Sequence, residues 1–116
     1  MHNLQRFPGL TSTRSRAVAT DTTVYTVAVA PTPVPEAIFD EAMKVFERIE
    51  ESLTLCGTEK ANILAINIFL SSLDHKEEFN RAWDAWIGER NQPMRCCFGV
   101  DISPPHRVEL VVTAAR

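Results

Sequence analysis

The sequence predicts an α+β fold, a two-layer sandwich with two helices on one face of a mixed β-sheet in the order β-β-α-β-α-β-β. Three observations predict it. Two stretches space their apolar residues as a helix does, five carry the branched or alternating pattern of a strand, and the two kinds interleave along 116 residues. A chain of that length makes one domain, residues 1–116, burying about two-thirds of the surface its unfolded form exposes.

Residues 1–13 carry Pro8, Gly9 and a Thr/Ser cluster and read as an irregular lead-in. Small and β-branched residues dominate Arg16 to Asp21 and again Val24 to Ala30, with Asp21-Thr22-Thr23 suited to a turn, so a hairpin is expected. Pro31, Pro33 and Pro35 forbid a regular central strand and make an extended connector. From about Glu36 to Cys56, Phe39, Ala42, Met43, Phe46, Ile49 and Leu53 form one apolar stripe, with acids early and Gly57 as the stop. Ile63 to Leu70 is apolar on both faces apart from Asn67, as a covered central strand would be. Asp74 with Glu77 resembles a capping box opening a second helix, whose stripe is Phe79, Ala82, Trp83, Trp86 and Ile87 and whose end is Gly88. Met94 to Val100 and Arg107 to Thr113 are two more alternating strands, joined by the loop Asp101 to His106.

Two helices cover only one face of the sheet. In the Met94 strand, Met94, Cys96, Phe98 and Val100 point one way and Arg95, Cys97 and Gly99 the other; in the last strand Glu109, Val111 and Thr113 oppose Val108, Leu110 and Val112. Placing Arg95, Cys97, Gly99, Glu109 and Val111 on the uncovered face makes that face too apolar for water, which predicts a homo-oligomer with a small polar pocket at its interface.

Composition excludes several functions. Twelve Lys and Arg against 15 Asp and Glu give a net charge of −3, without the basic excess of a nucleic-acid binder, although a local basic pocket stays compatible with it. The longest apolar run, Ile63 to Leu70, falls far short of the roughly 20 residues of a membrane helix, and the first eight residues lack a secretory signal's apolar stretch. Three cysteines without a C-x-x-C pair point to reduced thiols and a cytoplasmic protein. No His/Cys cluster has metal-ligand spacing, Gly57, Gly88 and Gly99 are too scattered for a phosphate loop, and His2, His75 and His106 are too scattered to pair with a cysteine.

The candidate site residues each have a plain reading and a functional one. Arg95, inside an apolar strand, is ordinarily a solvated edge residue; alternatively it is a bidentate clamp for a substrate carboxylate. Glu109 is either a salt-bridge partner or a carboxylate that orients a water. Cys97 behaves as a small hydrophobe or, beside Arg95, touches a ligand. Trp83 and Trp86 are core residues on their stripe, and Asn80, one turn earlier, is an ordinary polar helix residue.

The run Phe79-Asn80-Arg81-Ala82-Trp83-Asp84-Ala85-Trp86, then Pro93-Met94-Arg95-Cys96-Cys97, then Val108-Glu109-Leu110-Val111-Val112-Thr113-Ala114-Ala115 resembles the RidA/YjgF family, reactive-intermediate (enamine/imine) deaminases also described as L-PSP endoribonucleases. It is most similar to the YoaB-like branch, strongly from Ala61 onward and weakly before Val34. The resemblance implies a chorismate-mutase-like homotrimer with clefts between subunits and no cofactor. It implies that Arg95 binds the carboxylate of a small 2-imino or 2-enamino acid, Glu109 helps place the attacking water, Cys97 lines the pocket and Asn80 supports it. The products would be a 2-keto acid and ammonia.

Two family segments are rewritten. Thr13-Arg14-Ser15-Arg16-Ala17-Val18 stands where the family has glycine-proline-tyrosine, and Val27-Ala28-Val29 where it has serine-glycine-glutamine. The Pro104-Pro105 loop is also about one residue shorter. Both rewritten segments shape one wall of the family's cleft, so a non-catalytic carboxylate-binding trimer is the second expectation. Endoribonuclease activity ranks behind it, since the acidic balance and the lack of a histidine pair speak against it, and a holdase, of which the sequence gives no direct sign, comes last.

Overall fold

The computed structural model describes residues 3–116; Met1 and His2, with the sequence reading of that histidine, lie outside the described residues. The chain order is β1 (Gln5–Pro8), β2 (Ser15–Ala19), β3 (Thr23–Val29), α1 (Ile38–Leu55), β4 (Ile63–Leu70), α2 (Lys76–Ile87), β5 (Met94–Gly99) and β6 (Val108–Ala115). One six-stranded sheet runs β1-β2-β3-β6-β4-β5, antiparallel throughout except for the parallel pair β4–β5. Two helices on a mixed sheet are as expected, but the lead-in is not irregular: Gln5, Arg6 and Phe7 pair with Ala19, Val18 and Ala17 and add an edge strand. Four residues ending in a proline carry too short an alternation to be read as a strand, so only pairing reveals it.

The helix stripes and the strand alternation meet in one core. Val24 and Ala28 of β3, Ile66, Ile68 and Leu70 of β4, and Val108, Leu110, Val112 and Ala114 of β6 are buried under Phe46, Ile49 and Leu53 of α1 and Phe79 and Trp86 of α2. Phe46 stacks on Trp86 at 4.2 Å and meets Phe79 edge-on at 5.8 Å, which joins the helices through an aromatic cluster. Gly57 and Gly88 end the helices at φ 77° and 72°, a region that glycine enters without a Cβ penalty. The opening of α2 differs from the capping-box reading. A 3₁₀ turn at Leu73–His75 precedes the helix, and Ser72, not Asp74, caps it by accepting from the Asp74 N–H at 3.1 Å.

One buried carboxylate was not anticipated. Glu41, on α1, is fully buried and accepts from the backbone N–H of Arg107 (2.8 Å) and of Val108 (3.0 Å) and from Arg107 Nε (2.8 Å). Arg107 Nη2 donates in turn to the Pro35 carbonyl at 2.7 Å. This bolt joins the first turn of α1, the proline connector and the start of β6, two residues from Glu109.

Strand register decides which residues share a face. In the parallel ladder Ile66, Ile68 and Leu70 stand beside Arg95, Cys97 and Gly99, so these three lie on the helix side. Glu109 pairs with Val29 and Phe69, and Phe69 with Phe98, so Glu109 lies on the uncovered side. The expectation that Arg95, Cys97 and Gly99 share the uncovered face with Glu109 is therefore corrected. Alternation fixes parity within each strand, but which parity faces the helices depends on the register of β5 against β4.

Candidate active site

Arg95 sits on the edge strand β5 under the first two turns of α2. Its guanidinium lies 5.0 Å from the Trp83 ring centroid and 5.9 Å from that of Phe79, and its Nη2 donates to Asn80 Oδ1 at 2.6 Å. Aromatic faces and a neutral amide hold the group in place without cancelling its charge. Among the described residues no carboxylate pairs with it, so most of its planar fork of donors is left for an anion. Asn80 is thus more than a surface residue: it aims the arginine. Cys97 follows on the same face, half-buried against the core. Arg95, Asn80 and Cys97 come together; Trp83 and Trp86 are core, as expected, although Trp83 also forms the platform under Arg95.

Glu109 belongs to a different place. It is half-buried and lines a cavity of about 560 Å³ where β2 and β3 separate beyond the Ala17–Thr26 pair. Val27, Ala28 and Val29, the segment that departs from the family pattern, line the same cavity. His106 fastens this wall, its Nε2 lying 2.8 Å from the Ala30 carbonyl oxygen. One subunit therefore holds two separate half-sites, an arginine anchor on the helix side of β5 and a glutamate pocket that opens between β2 and β3 and also takes Arg48 and Ser52 of α1.

The uncovered face keeps the apolar character that predicts association, though with different residues. It carries rows running across β3, β6, β4 and β5: Tyr25-Thr113-Ala65-Met94, Val27-Val111-Asn67-Cys96 and Val29-Glu109-Phe69-Phe98. Met94 is 70% exposed, Phe98 45% and Val111 38%. Of the three thiols, Cys96 is exposed on this face, while burial pushes the Cys56 thiol upward in pKa against the opposing pull of Arg116 and Arg16. Among the described residues no three His, Cys, Asp or Glu side chains converge as a metal site, and no helix is long and apolar enough to cross a membrane.

Sequence reasoning missed the cavity's basic lining, Arg14, Arg16, Arg48 and His106. The Arg14-x-Arg16 spacing was visible, but nothing in the sequence brings Arg48 of α1 beside it.

The family model described as endoribonuclease L-PSP matches residues 8–116, nearly the whole chain. The chain belongs to this family. A RutC family protein of Haemophilus ducreyi is 30% identical over 92 residues, covering 78% of this chain and 79% of that one. The RutC family protein YoaB of Escherichia coli is 29% identical over 100 residues, covering 82% and 88%. A crystal structure of a YjgF-family protein from Neisseria meningitidis superposes with a TM-score of 0.90 at 29% identity, covering 98% of this chain and 95% of that one. The resemblance seen in the Arg95 and Glu109 strands is thus a family relationship, and the α+β sandwich is the YjgF fold.

Proposed function

We propose that this L-PSP/YjgF-family chain acts in the cytoplasm as a homotrimeric, cofactor-independent deaminase of small 2-imino and 2-enamino acids, at clefts built from two subunits. The observation that carries the reading is the splitting of the site. Arg95, with Asn80 and Cys97, lies on one face and Glu109 on the other, so a shared site needs the arginine side of one copy against the glutamate pocket of the next. The apolar rows around Glu109 supply the surface on which copies would meet.

In such a cleft the Arg95 fork pairs with the substrate carboxylate, and Asn80 keeps the fork aimed. Glu109 accepts a hydrogen bond from water, turning its oxygen toward the electrophilic C=N carbon. The water oxygen bonds to that carbon, its proton passes to nitrogen, and the carbinolamine collapses to the 2-keto acid and ammonia. These imines already hydrolyse slowly in water, so holding anchor, carbon and water in register supplies the several kcal/mol that the reaction needs. Cys97 fills the wall beside Arg95.

Trapping the imine with semicarbazide tests this, with an amino-acid oxidase generating the substrate. Wild type should lower the adduct yield and Arg95→Ala should not. If wild type changes no adduct across a panel of imino acids, deamination is excluded. A second reading, a carboxylate-binding trimer without turnover, draws on the rewritten Val27-Ala28-Val29 wall and would then stand if 2-keto acids bind in an Arg95-dependent manner.

A further inference from the structure

The glutamate half-site is unusually basic. The chain carries a net charge of −3, yet three of its nine arginines, Arg14, Arg16 and Arg48, line one cavity together with His106, against the single lining carboxylate of Glu109. The three are engaged differently. Arg16 is tied into the structure, since its Nε donates to Ser52 Oγ at 3.0 Å and its Nη2 lies 3.8 Å from Glu51 Oε2. That Nη2 is nonetheless buried without a hydrogen-bond acceptor. No hydrogen bond or ion pair engages the side chain of Arg14 or Arg48 among the described residues. Arg14 comes from the β1–β2 loop, where Gly9 donates to its carbonyl at 3.0 Å, and Arg48 from the middle of α1, so two independent elements converge on one concavity.

Guanidiniums gathered in a partly enclosed space raise the local potential and pair best with planar oxyanions. A cavity of about 560 Å³ falls within the usual range for small-molecule sites. We propose that this cavity receives a second carboxylate of the substrate, so that the site takes 2-imino dicarboxylates, with Arg95 holding the α-carboxylate and Arg14 and Arg48 the distal one. The inference rests on the cleft reading above, in which this cavity faces the Arg95 of a neighbouring copy. It also explains why the rewritten segment keeps a cavity while exchanging its lining: residues 13–18 bring arginines to the wall, and Val27-Ala28-Val29 add no polar side chain to it.

Calorimetric titration of the full-length protein with two product analogues tests it. 2-Oxoglutarate and 2-oxopentanoate have the same chain length and differ in a terminal carboxylate against a methyl. Wild type should bind 2-oxoglutarate at least about tenfold tighter, since a charge-assisted bidentate pair is worth that much. Arg14→Ala combined with Arg48→Ala should bring the ratio of the two dissociation constants close to one. Arg48→Lys, which keeps charge but not the fork, should restore part of it. A wild-type ratio near one, a ratio that survives the double substitution, or no binding of either acid overturns the proposal. Arg95→Ala reports separately on the anchor: it should weaken both acids by a similar factor and leave their ratio. If it weakens neither while the ratio still depends on Arg14 and Arg48, the anchor reading fails and the basic cavity stands.

Discussion

Removing the Glu41 carboxylate should cost this fold more than any exposed charge. In Glu41→Ala the backbone N–H groups of Arg107 and Val108 lose their acceptor inside the protein, and Arg107 keeps only the Pro35 carbonyl. Breaking one partner from a buried pair typically costs about 3–5 kcal/mol. The lower end applies here, because the Arg107 side chain is 28% exposed and recovers some hydration, while the two stranded N–H groups do not. About 3 kcal/mol corresponds to a drop in melting temperature on the order of 10 °C for a domain of this size. Urea denaturation at fixed protomer concentration measures it, with Glu47→Ala as control. Glu47 is 62% exposed and 3.6 Å from Lys44, a pair worth at most about 0.5 kcal/mol. If Glu41→Ala lost less than about 1 kcal/mol, the bolt would be ornamental, and the ordering of β6 next to Glu109 would need another cause.

Thiol labelling should leave Cys56 unreactive until the protein unfolds; labelling of Cys56 in the folded protein would contradict the burial described. Because burial raises the Cys56 pKa above its ordinary 9.0, the stability it contributes is present below that pH and is lost as pH rises through the folded-state value. Cys56→Ala should therefore flatten the alkaline part of the stability profile, whatever its uniform packing cost. Gly88→Ala forces a side chain into φ 72° and ψ −163°, backbone that is essentially glycine-only, and should destabilise by about 1–3 kcal/mol in thermal melts; an unchanged melting temperature would contradict that strain. Val111→Asp, at the centre of the uncovered face, should shift the protein toward monomer in sedimentation while leaving its circular dichroism intact; an unchanged assembly would remove that face from the interface.

Much of the fold was legible because burial leaves periodic marks. The α1 stripe through Phe46 and Ile49, the two-faced β4 run and the glycine stops at Gly57 and Gly88 each arise from local geometry acting on neighbouring residues. What was not legible depends on partners distant in the chain. β1 exists only because β2 pairs with it, and Glu41 looks like an ordinary first-turn acid until Arg107 meets it. Arg95 shows the same limit within the site. Its residue type and strand were readable, but its face depended on the β4–β5 register, and its guidance by Asn80 and Trp83 depended on how α2 crosses that edge. The arginines of the glutamate pocket come from a loop, a strand and a helix, which no spacing rule connects.

The claim on which all of this turns is that Arg95 and Glu109 act together only across two copies. Subunit complementation tests it directly, by mixing unfolded Arg95→Ala and Glu109→Ala proteins, refolding them together and assaying imine hydrolysis. Each parent alone should be inactive. In randomly mixed trimers about a quarter of the clefts would combine an intact Arg95 side with an intact Glu109 side, so activity near a quarter of wild type is predicted. A mixture no more active than its parents, beside a wild type active in the same assay, would contradict the shared cleft.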